Sequence, residues 1–334
     1  MNKNRIVGLD LLKIIACLGV VGLHTIGKDS SEINRILYYL CGYAIPCFFM
    51  VHGYFILNKA ELKCTYLIKK AMNFLLIILG WNFLLAIMKI CVNGDRINPF
   101  KEMIREMMLQ RGFFFQFWYF GALFLLYCIT PLLYKILHSS KKNIIAIIFL
   151  LIIICIDLIS AFCMKKLGAP LQSYVKQPFR IWTWIFYFYC GGLIRGVNHQ
   201  VVDKIIEKKY IILIISVVIN LAYDYGIGYK VLGIEWAEYF YDNIFMIFEC
   251  VFVFLIFKEI EVHNWNAEKW IYELSSLSMG VFVIHVVIIK YIEQYYDFCL
   301  PIFNFGLWGI VFGVSIVISK IISKIPIAKR LIKL

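Results

Sequence analysis

The sequence predicts an all-α fold, a polytopic transmembrane helix bundle of about ten spans with no soluble domain. Hydrophobic residues make up 62% of the 334 residues, against roughly 45–50% in soluble domains. The mean hydropathy is +0.80, and several apolar stretches reach the roughly 20 residues that cross about 30 Å of hydrocarbon. The connections between them are each under roughly 25 residues, too short to fold alone. We therefore expect one membrane-embedded domain over residues 1–334.

Ten apolar segments, taken in order, are expected to cross the bilayer. They cover residues 7–27, 36–57, 71–92, 113–136, 143–163, 179–196, 210–223, 239–257, 274–291 and 298–323. The seventh segment is short for a full crossing, which indicates a tilted or partly buried helix. An even number of spans leaves both termini on the same side of the membrane.

The charge distribution predicts the partners and the orientation. The net charge of +13 is spread over short loops between apolar segments, so it favours membrane lipid headgroups and excludes a nucleic-acid partner. Basic residues near both termini indicate the cytoplasmic side. They are Lys3, Arg5, Lys320, Lys324, Lys329, Arg330 and Lys333. We expect a multi-pass protein of the cell (plasma) membrane with both termini cytoplasmic.

The cysteines predict neither a metal site nor a redox site. The chain has 11 cysteines, most within predicted spans, without a CxxC pair or zinc-ligand spacing with histidine. We expect them to be small apolar packing residues, and we expect no metal and no permanently bound cofactor. The first apolar run is too long for a signal peptide and lacks a small-residue cleavage site, so it is expected to remain as a mature helix.

The first predicted span, LDLLKIIACLGVVGLH (9–24), contains an acid, a base and a histidine. Because a helix turns about 100° per residue, Lys13 and His24 fall within about 20° of one face and stand roughly 16 Å apart. Asp10 precedes Lys13 by three positions, where an ion pair lowers the cost of burial. Ionisable residues inside a span are functional candidates. The structural alternative is that Lys13 reaches the headgroups beside Asp10 and that His24 only forms a hydrogen bond at the interface.

These residues resemble the opening motif of the membrane acyltransferase 3 family. The match is R-x4-D-x2-K-x10-H, formed by Arg5, Asp10, Lys13 and His24. Four further segments resemble the family's patterns in order: AIPCFFMVHGYF (44–55), YLIKKAMNFLL (66–76), FWYFGALFLLYCITPLL (117–133) and SSLSMGVFVIH (275–285). The resemblance covers most of the chain.

Three positions depart from the family's pattern. Lys13 stands where arginine is commoner, and its ammonium lacks the bidentate phosphate contact of a guanidinium. His52 stands where serine is more usual, and Gln116 where a histidine is often found. The substitutions keep the charge of the motif.

The resemblance implies transfer of an acyl group, usually acetyl from acetyl-CoA, to a hydroxyl of a carbohydrate or glycolipid acceptor of the cell envelope. The donor-binding residues are then expected to be Arg5, Lys13, Lys69 and Lys70, whose cations suit the phosphates of an acyl-CoA. The expected catalytic residues are His24 and Asp10, with His24 as general base or covalent acyl carrier. The acceptor-pocket candidates are Trp118, Tyr119, Ser278 and His285.

Each pocket candidate also has a structural interpretation. His285 can be a buried histidine bonded to a neighbouring helix, and Ser278 can serve helix packing. Trp118 and Tyr119 can belong to an aromatic belt. His52 is expected in the inner half, away from an outer acceptor. The acidic segment 224–242 is expected to be solvated rather than to attract an acceptor.

Two other functions fit the composition. A transporter or flippase of an envelope precursor also combines many spans with intramembrane charges, although such carriers often have inverted repeats and broken helices that the sequence does not reveal. A non-catalytic sensory module of the same fold is the second alternative, and the intact Lys13 and His24 argue against it. The sequence leaves open which acceptor is used and whether the chain forms a homo-oligomer.

Overall fold

The computed structural model describes residues 5–28, 31–295, 301–326 and 328–332, and no β-strand occurs within them. This confirms the all-α fold class. The α-helices of the described residues are α1 (Val7–Thr25), α2 (Glu32–Leu40), α3 (Ala44–Leu57), α4 (Cys64–Asn93), α5 (Pro99–Leu109), α6 (Trp118–Leu137), α7 (Lys142–Leu167), α8 (Leu171–Tyr174), α9 (Ile181–Ile194), α10 (His199–Glu207), α11 (Lys209–Leu221), α12 (Ile244–Lys258), α13 (Trp265–Ser276), α14 (Ser278–Ile292) and α15 (Pro301–Lys324). A π-helical segment, Ala222–Tyr229, continues α11.

Seven helical segments in the described residues are long and apolar enough to cross a membrane. They are Val7–Thr25, Glu32–Leu57, Cys64–Val92, Phe115–Leu137, Lys142–Leu167, Lys209–Tyr229 and Phe303–Lys324. An eighth is added if α13 and α14, bent by 55° at their junction, form one span. These segments indicate a multi-pass membrane protein.

The expected count of about ten spans is not confirmed, because two of the predicted segments form short helices. The α9 helix has 14 residues and α12 has 15, lengths of about 21–23 Å against about 30 Å of hydrocarbon. The seventh predicted segment is longer than expected, since α11 and its π-helical continuation run for 21 residues. The start of the tenth predicted segment, 298–300, and the terminal residues Lys3 and Lys333 lie outside the described residues.

The outer surface of the bundle is apolar. Along α7, large side chains such as Ile147, Leu151, Leu158 and Phe162 are exposed, and only 11% of its most apolar 18-residue window is buried inside the protein. A surface this apolar would be unstable in water, whereas lipid tails solvate it. The helices with such faces therefore form the lipid boundary.

Helix α1 lies at the centre of the bundle. It packs against α3, α12, α13, α14 and α15, and its Leu9 and Leu12 are completely buried. Small residues allow the close approach: a Cβ at Gly22 would lie 2.7 Å from the sulfur of Cys41. Polar side chains on α1 are consequently held between packed helices on several sides.

The helices α3 and α9 cross with their backbones in close contact. A Cβ added at Gly53 would lie 1.8 Å from the carbonyl oxygen of Phe188, and one at Gly191 would lie 2.0 Å from that of Met50. Beside the crossing, the rings of Phe49 and Trp184 stack with centroids 4.4 Å apart. The two glycines let the backbones touch, so the aromatic pair is completely buried.

The crossing predicts that Gly53→Ala destabilises the protein. The added methyl group has no room beside the Phe188 carbonyl, and overpacking of this kind costs about 1–3 kcal/mol or more. We expect a lower Tm in detergent. Gly309→Ala on α15 is the matched control, because nothing lies within 4 Å of its added Cβ and alanine favours a helix. Equal Tm values for the two variants would contradict the crossing.

Candidate active site

Two cavities meet inside the bundle at His24. The first, here called the lysine cavity, has a volume of about 490 Å³ and is lined by Lys13 and Lys70 among others. The second, the glutamate cavity, has a volume of about 640 Å³ and is lined by Glu235 and Glu238 among others. Three residues line both cavities: His24, Ile45 and Trp118. These three form the wall between the cavities.

The cavities follow one another along α1. The lysine cavity is lined by Lys13, Val20 and His24, and the glutamate cavity by Leu23, His24 and Gly27 at the far end of the helix. The prediction that Lys13 and His24 face the same way is confirmed, because both line the first cavity. At 1.5 Å per residue, the cavity extends roughly 16 Å from one to the other.

An ion cluster anchors the Lys13 end of this cavity. The Asp10 carboxylate accepts from Lys13 Nζ at 2.6 Å and from Arg5 Nε at 2.5 Å, and Ser275 Oγ donates to it at 2.7 Å. The predicted ion pair is therefore present. Asp10 itself is not among the residues that line the cavity, and its position on α1 is about 21 Å from His24. Its contacts thus fix Lys13 rather than reach the histidine.

The two neighbouring lysines predicted to bind the donor, Lys69 and Lys70, point in different directions from α4. Lys70 lines the lysine cavity, whereas Lys69 is exposed on α4 and is not among the lining residues. Neighbouring positions on a helix point about 100° apart, which explains the separation. Arg5 is likewise not a lining residue; its guanidinium lies 4.2 Å from the centroid of the Tyr272 ring. The structure brings Lys13 and Lys70 together.

Aromatic rings hold the His24 side chain. Its ring stacks on His285, with centroids 5.4 Å apart and an angle of 25°, and meets the edge of Phe115 at 5.3 Å. His285 is completely buried and lines neither cavity. Its Nδ1 is 2.8 Å from the carbonyl oxygen of Val281, so Nδ1 carries the donated hydrogen. The predicted pocket residue His285 therefore lies behind His24 and supports it.

The other pocket candidates lie mainly on the Lys13 side of the wall. Tyr119 and Ser278 line the lysine cavity, and Trp118 lines both cavities. Ser278 follows the bend between α13 and α14, which turns the start of α14 toward the cavity. That bend was not visible in the sequence, because neither glycine nor proline marks it.

Two polar residues of the lysine cavity received no role from the sequence. His52 lines the cavity, with Nδ1 3.0 Å from the Phe48 carbonyl oxygen and 3.2 Å from the Tyr119 hydroxyl. Gln116 also lines it and is 2% exposed. Both stand where the sequence departs from the pattern of the family it resembles, and this departure is the signal that could have identified them.

The acidic segment 224–242 is not simply solvated, and that expectation is wrong. Asp224 and Asp242 are almost completely buried, accepting hydrogen bonds from Asn243 Nδ2 at 2.7 Å and Thr183 Oγ1 at 2.5 Å. Asp224 lies in the π-helical segment that continues α11. Glu235 and Glu238 then line the glutamate cavity, together with Arg35, Tyr38, Trp236 and Tyr241.

A buried carboxyl group anchors the loop that carries Phe115 and Gln116. Glu106 on α5 accepts from the backbone N–H of Phe114 at 2.8 Å and from Asn82 Nδ2 at 2.7 Å. Burial raises the pKa of Glu106 from 4.5 to about 7, and the two hydrogen bonds oppose this rise. The α5 helix is not one of the membrane-spanning segments. It docks the loop against α4 and so positions one edge of the His24 site.

The fold and the paired cavities define a multi-pass membrane protein with a histidine in the wall between two cavities. Residues 6–324 match the family model of the acyltransferase 3 family, described as an acyltransferase domain. The chain belongs to this acyltransferase family.

One curated relative is similar over most of this chain. It is an amino-acid racemase of Enterococcus faecalis, 22% identical over 331 residues, which are 88% of this chain and 43% of the racemase. The chain thus spans less than half the length of that relative. No solved structure matches the chain.

The Glu106 anchor predicts a stability that falls as the pH rises. Its pKa is about 7 in the folded protein and 4.5 as the ordinary value, so between these values the folded chain binds the proton more tightly than the unfolded chain. The fold loses this contribution on ionisation. We expect the Tm to fall by a few degrees from pH 5 to pH 8.

Glu106→Gln should reduce this pH dependence. The new amide can accept from Phe114 and donate to Asn82 Oδ1, which has no hydrogen-bond partner among the described residues. Glu61→Gln is the control, since that carboxylate is 74% exposed. Thermal unfolding at several pH values measures the effect, and an unchanged pH slope in Glu106→Gln would refute the assignment.

Proposed function

We propose that this protein is an integral membrane O-acyltransferase, most simply an O-acetyltransferase. An acyl-CoA donor binds in the lysine cavity from the cytoplasmic side, and a hydroxyl of an envelope carbohydrate or glycolipid enters from the glutamate cavity. The observation that supports this most strongly is that His24 lines both cavities. One side chain can therefore contact groups that arrive from opposite ends of α1.

The dimensions of the lysine cavity suit an acyl-CoA. About 13 bonds separate the thioester sulfur of this donor from its nearer phosphorus, and an extended chain advances roughly 1.2 Å per bond, giving about 16 Å. This equals the roughly 16 Å from Lys13 to His24 along α1. With the phosphates at Lys13 and Lys70, the thioester reaches His24. Aromatic residues such as Phe48, Tyr119 and Phe282 line the path between them.

His24 acts as the general base in the proposed reaction. It takes the proton from the acceptor hydroxyl while the oxygen attacks the thioester carbonyl, and the thiolate leaves with the electron pair of the carbon–sulfur bond and is then protonated. His285 and Phe115 hold the imidazole in place. The imidazole is therefore kept in an orientation that favours proton transfer. Asp10 contributes by fixing Lys13.

The glutamate cavity suits a polyhydroxylated acceptor. Glu235 and Glu238 offer carboxylate acceptors for hydroxyl groups, and Tyr38 and Trp236 offer aromatic faces for a sugar ring. The name of the racemase relative gives no activity to this chain, because more than half of that protein lies outside the alignment. A carrier or a sensory module would leave every acceptor without an ester.

The proposal predicts that His24→Ala strongly reduces acyl transfer. Loss of a general base lowers a rate by about 10²–10⁴-fold, and a covalent carrier would be lost as completely. Membranes containing the protein are incubated with radiolabelled acetyl-CoA, and label on envelope carbohydrate and lipid is counted. His263→Ala is the matched control, because that side chain is 89% exposed. Unchanged labelling of envelope carbohydrate and lipid by the His24→Ala variant would contradict the proposal.

The donor site predicts a separate effect at Lys70. Lys70→Gln removes a cation from the lysine cavity, and loss of a charge-assisted phosphate contact corresponds to about a 10- to 100-fold increase in KM for acetyl-CoA. The KM for acetyl-pantetheine, which has no phosphate, should not rise. Lys63→Gln, at a 66% exposed side chain, is the control. A larger rise in the KM for acetyl-CoA in Lys69→Gln than in Lys70→Gln would contradict the proposed donor site.

A further inference from the structure

Gln116 has an unusual environment. It lies in the short 3₁₀ turn Phe115–Phe117 before α6 and is 2% exposed. Neither its Nε2 nor its Oε1 has a hydrogen-bond partner among the described residues. A buried amide without partners costs about 1–3 kcal/mol. A side chain of this kind that lines a cavity is a candidate for ligand binding.

The position of Gln116 is near the thioester end of the proposed donor. It lines the lysine cavity but not the glutamate cavity, and it follows Phe115, whose ring contacts His24. Gln116 therefore lies on the Lys13 side of the wall between the cavities and near the histidine. A group bound there is close to the reacting thioester, on the side toward the phosphates.

We propose that Gln116 binds the amide group of the donor arm that is nearest the thioester sulfur. This inference rests on the proposed function. A carboxamide offers both a donor and an acceptor, and a secondary amide offers one of each in return, so a single ligand group satisfies both orphaned atoms. In an acyl-CoA the first amide nitrogen is two methylenes from the sulfur, about 4 Å away.

The contact makes Gln116 a specificity residue for the acyl carrier. With the thioester at His24, the first amide lies on the Lys13 side of the wall, where Gln116 is found. Acyl donors without an amide at this distance leave the glutamine unpaired in the complex. Sites built to hydrogen-bond a ligand group reject analogues that lack it more strongly than apolar pockets do.

The test compares two donors with the full-length protein in lipid nanodiscs. One is acetyl-CoA, and the other is its analogue with a methylene in place of the N–H of the amide nearest the sulfur. We expect the wild-type protein to lose about 10- to 100-fold in kcat/KM with the analogue. Gln116→Met should show a similar loss with acetyl-CoA and less than about a threefold difference between the two donors.

Gln177→Met is the matched control. Gln177 is also completely buried with both amide atoms unpartnered among the described residues, but it lines neither cavity. This variant should retain the wild-type ratio of the two donors. Gln116→Met should not lower the Tm, because it removes a buried polar group that has no partner.

The outcomes separate this inference from the proposed function. Equal use of both donors by the wild-type protein overturns the contact, and this comparison needs no variant. An equal loss with both donors in Gln116→Met also overturns it, since the residue would then act on the reacting carbonyl or on the fold. Absence of transfer with either donor in the wild-type protein refutes the proposed function instead.

Discussion

The ion cluster on α1 is the interaction on which the rest of the site depends. One carboxylate, Asp10, holds the cations of Arg5 and Lys13 and receives a hydrogen bond from Ser275 on α13. An isolated carboxylate as buried as Asp10, which is 7% exposed, would be strongly unfavourable, and removing one partner from such a cluster leaves the others unpaired. The cluster retains one excess positive charge beside the lysine cavity. A basic residue can therefore be kept inside the bundle for an anionic ligand.

The helices packed around α1 form the cavities of the candidate active site beside this cluster. Small residues bring α1 and its neighbours together, and the 55° bend between α13 and α14 places Ser275 and Ser278 at the lysine cavity. At the other end, Glu106 docks the loop before α6, so that Phe115 and its neighbours close around His24. The cavities are thus defined by helix ends and breaks as much as by helix faces.

The sequence predicts the helical class, the shared face of Lys13 and His24, and the family well, because each depends on local periodicity and spacing. Lys13 and His24 share a helix, so their common face follows from residue count. The sequence misses features that depend on contacts between distant segments. The burial of Asp224 requires Asn243, and the support of His24 by His285 joins α1 to α14. Which of Lys69 and Lys70 lines the cavity depends on how α4 packs. The span count fails for a related reason, since hydropathy alone does not show where α9 and α12 end.

The wall of His24, Ile45 and Trp118 also has a consequence for the cell. In the proposed reaction only an acyl group of a few atoms changes compartment, while the nucleotide and the glycan each remain on their own side. An enzyme that instead moved a whole substrate through its centre would have to open a path wide enough for hydrated ions. In that reaction the three side chains of the wall would separate donor from acceptor, so that an acyl group would cross the membrane without such a path being opened.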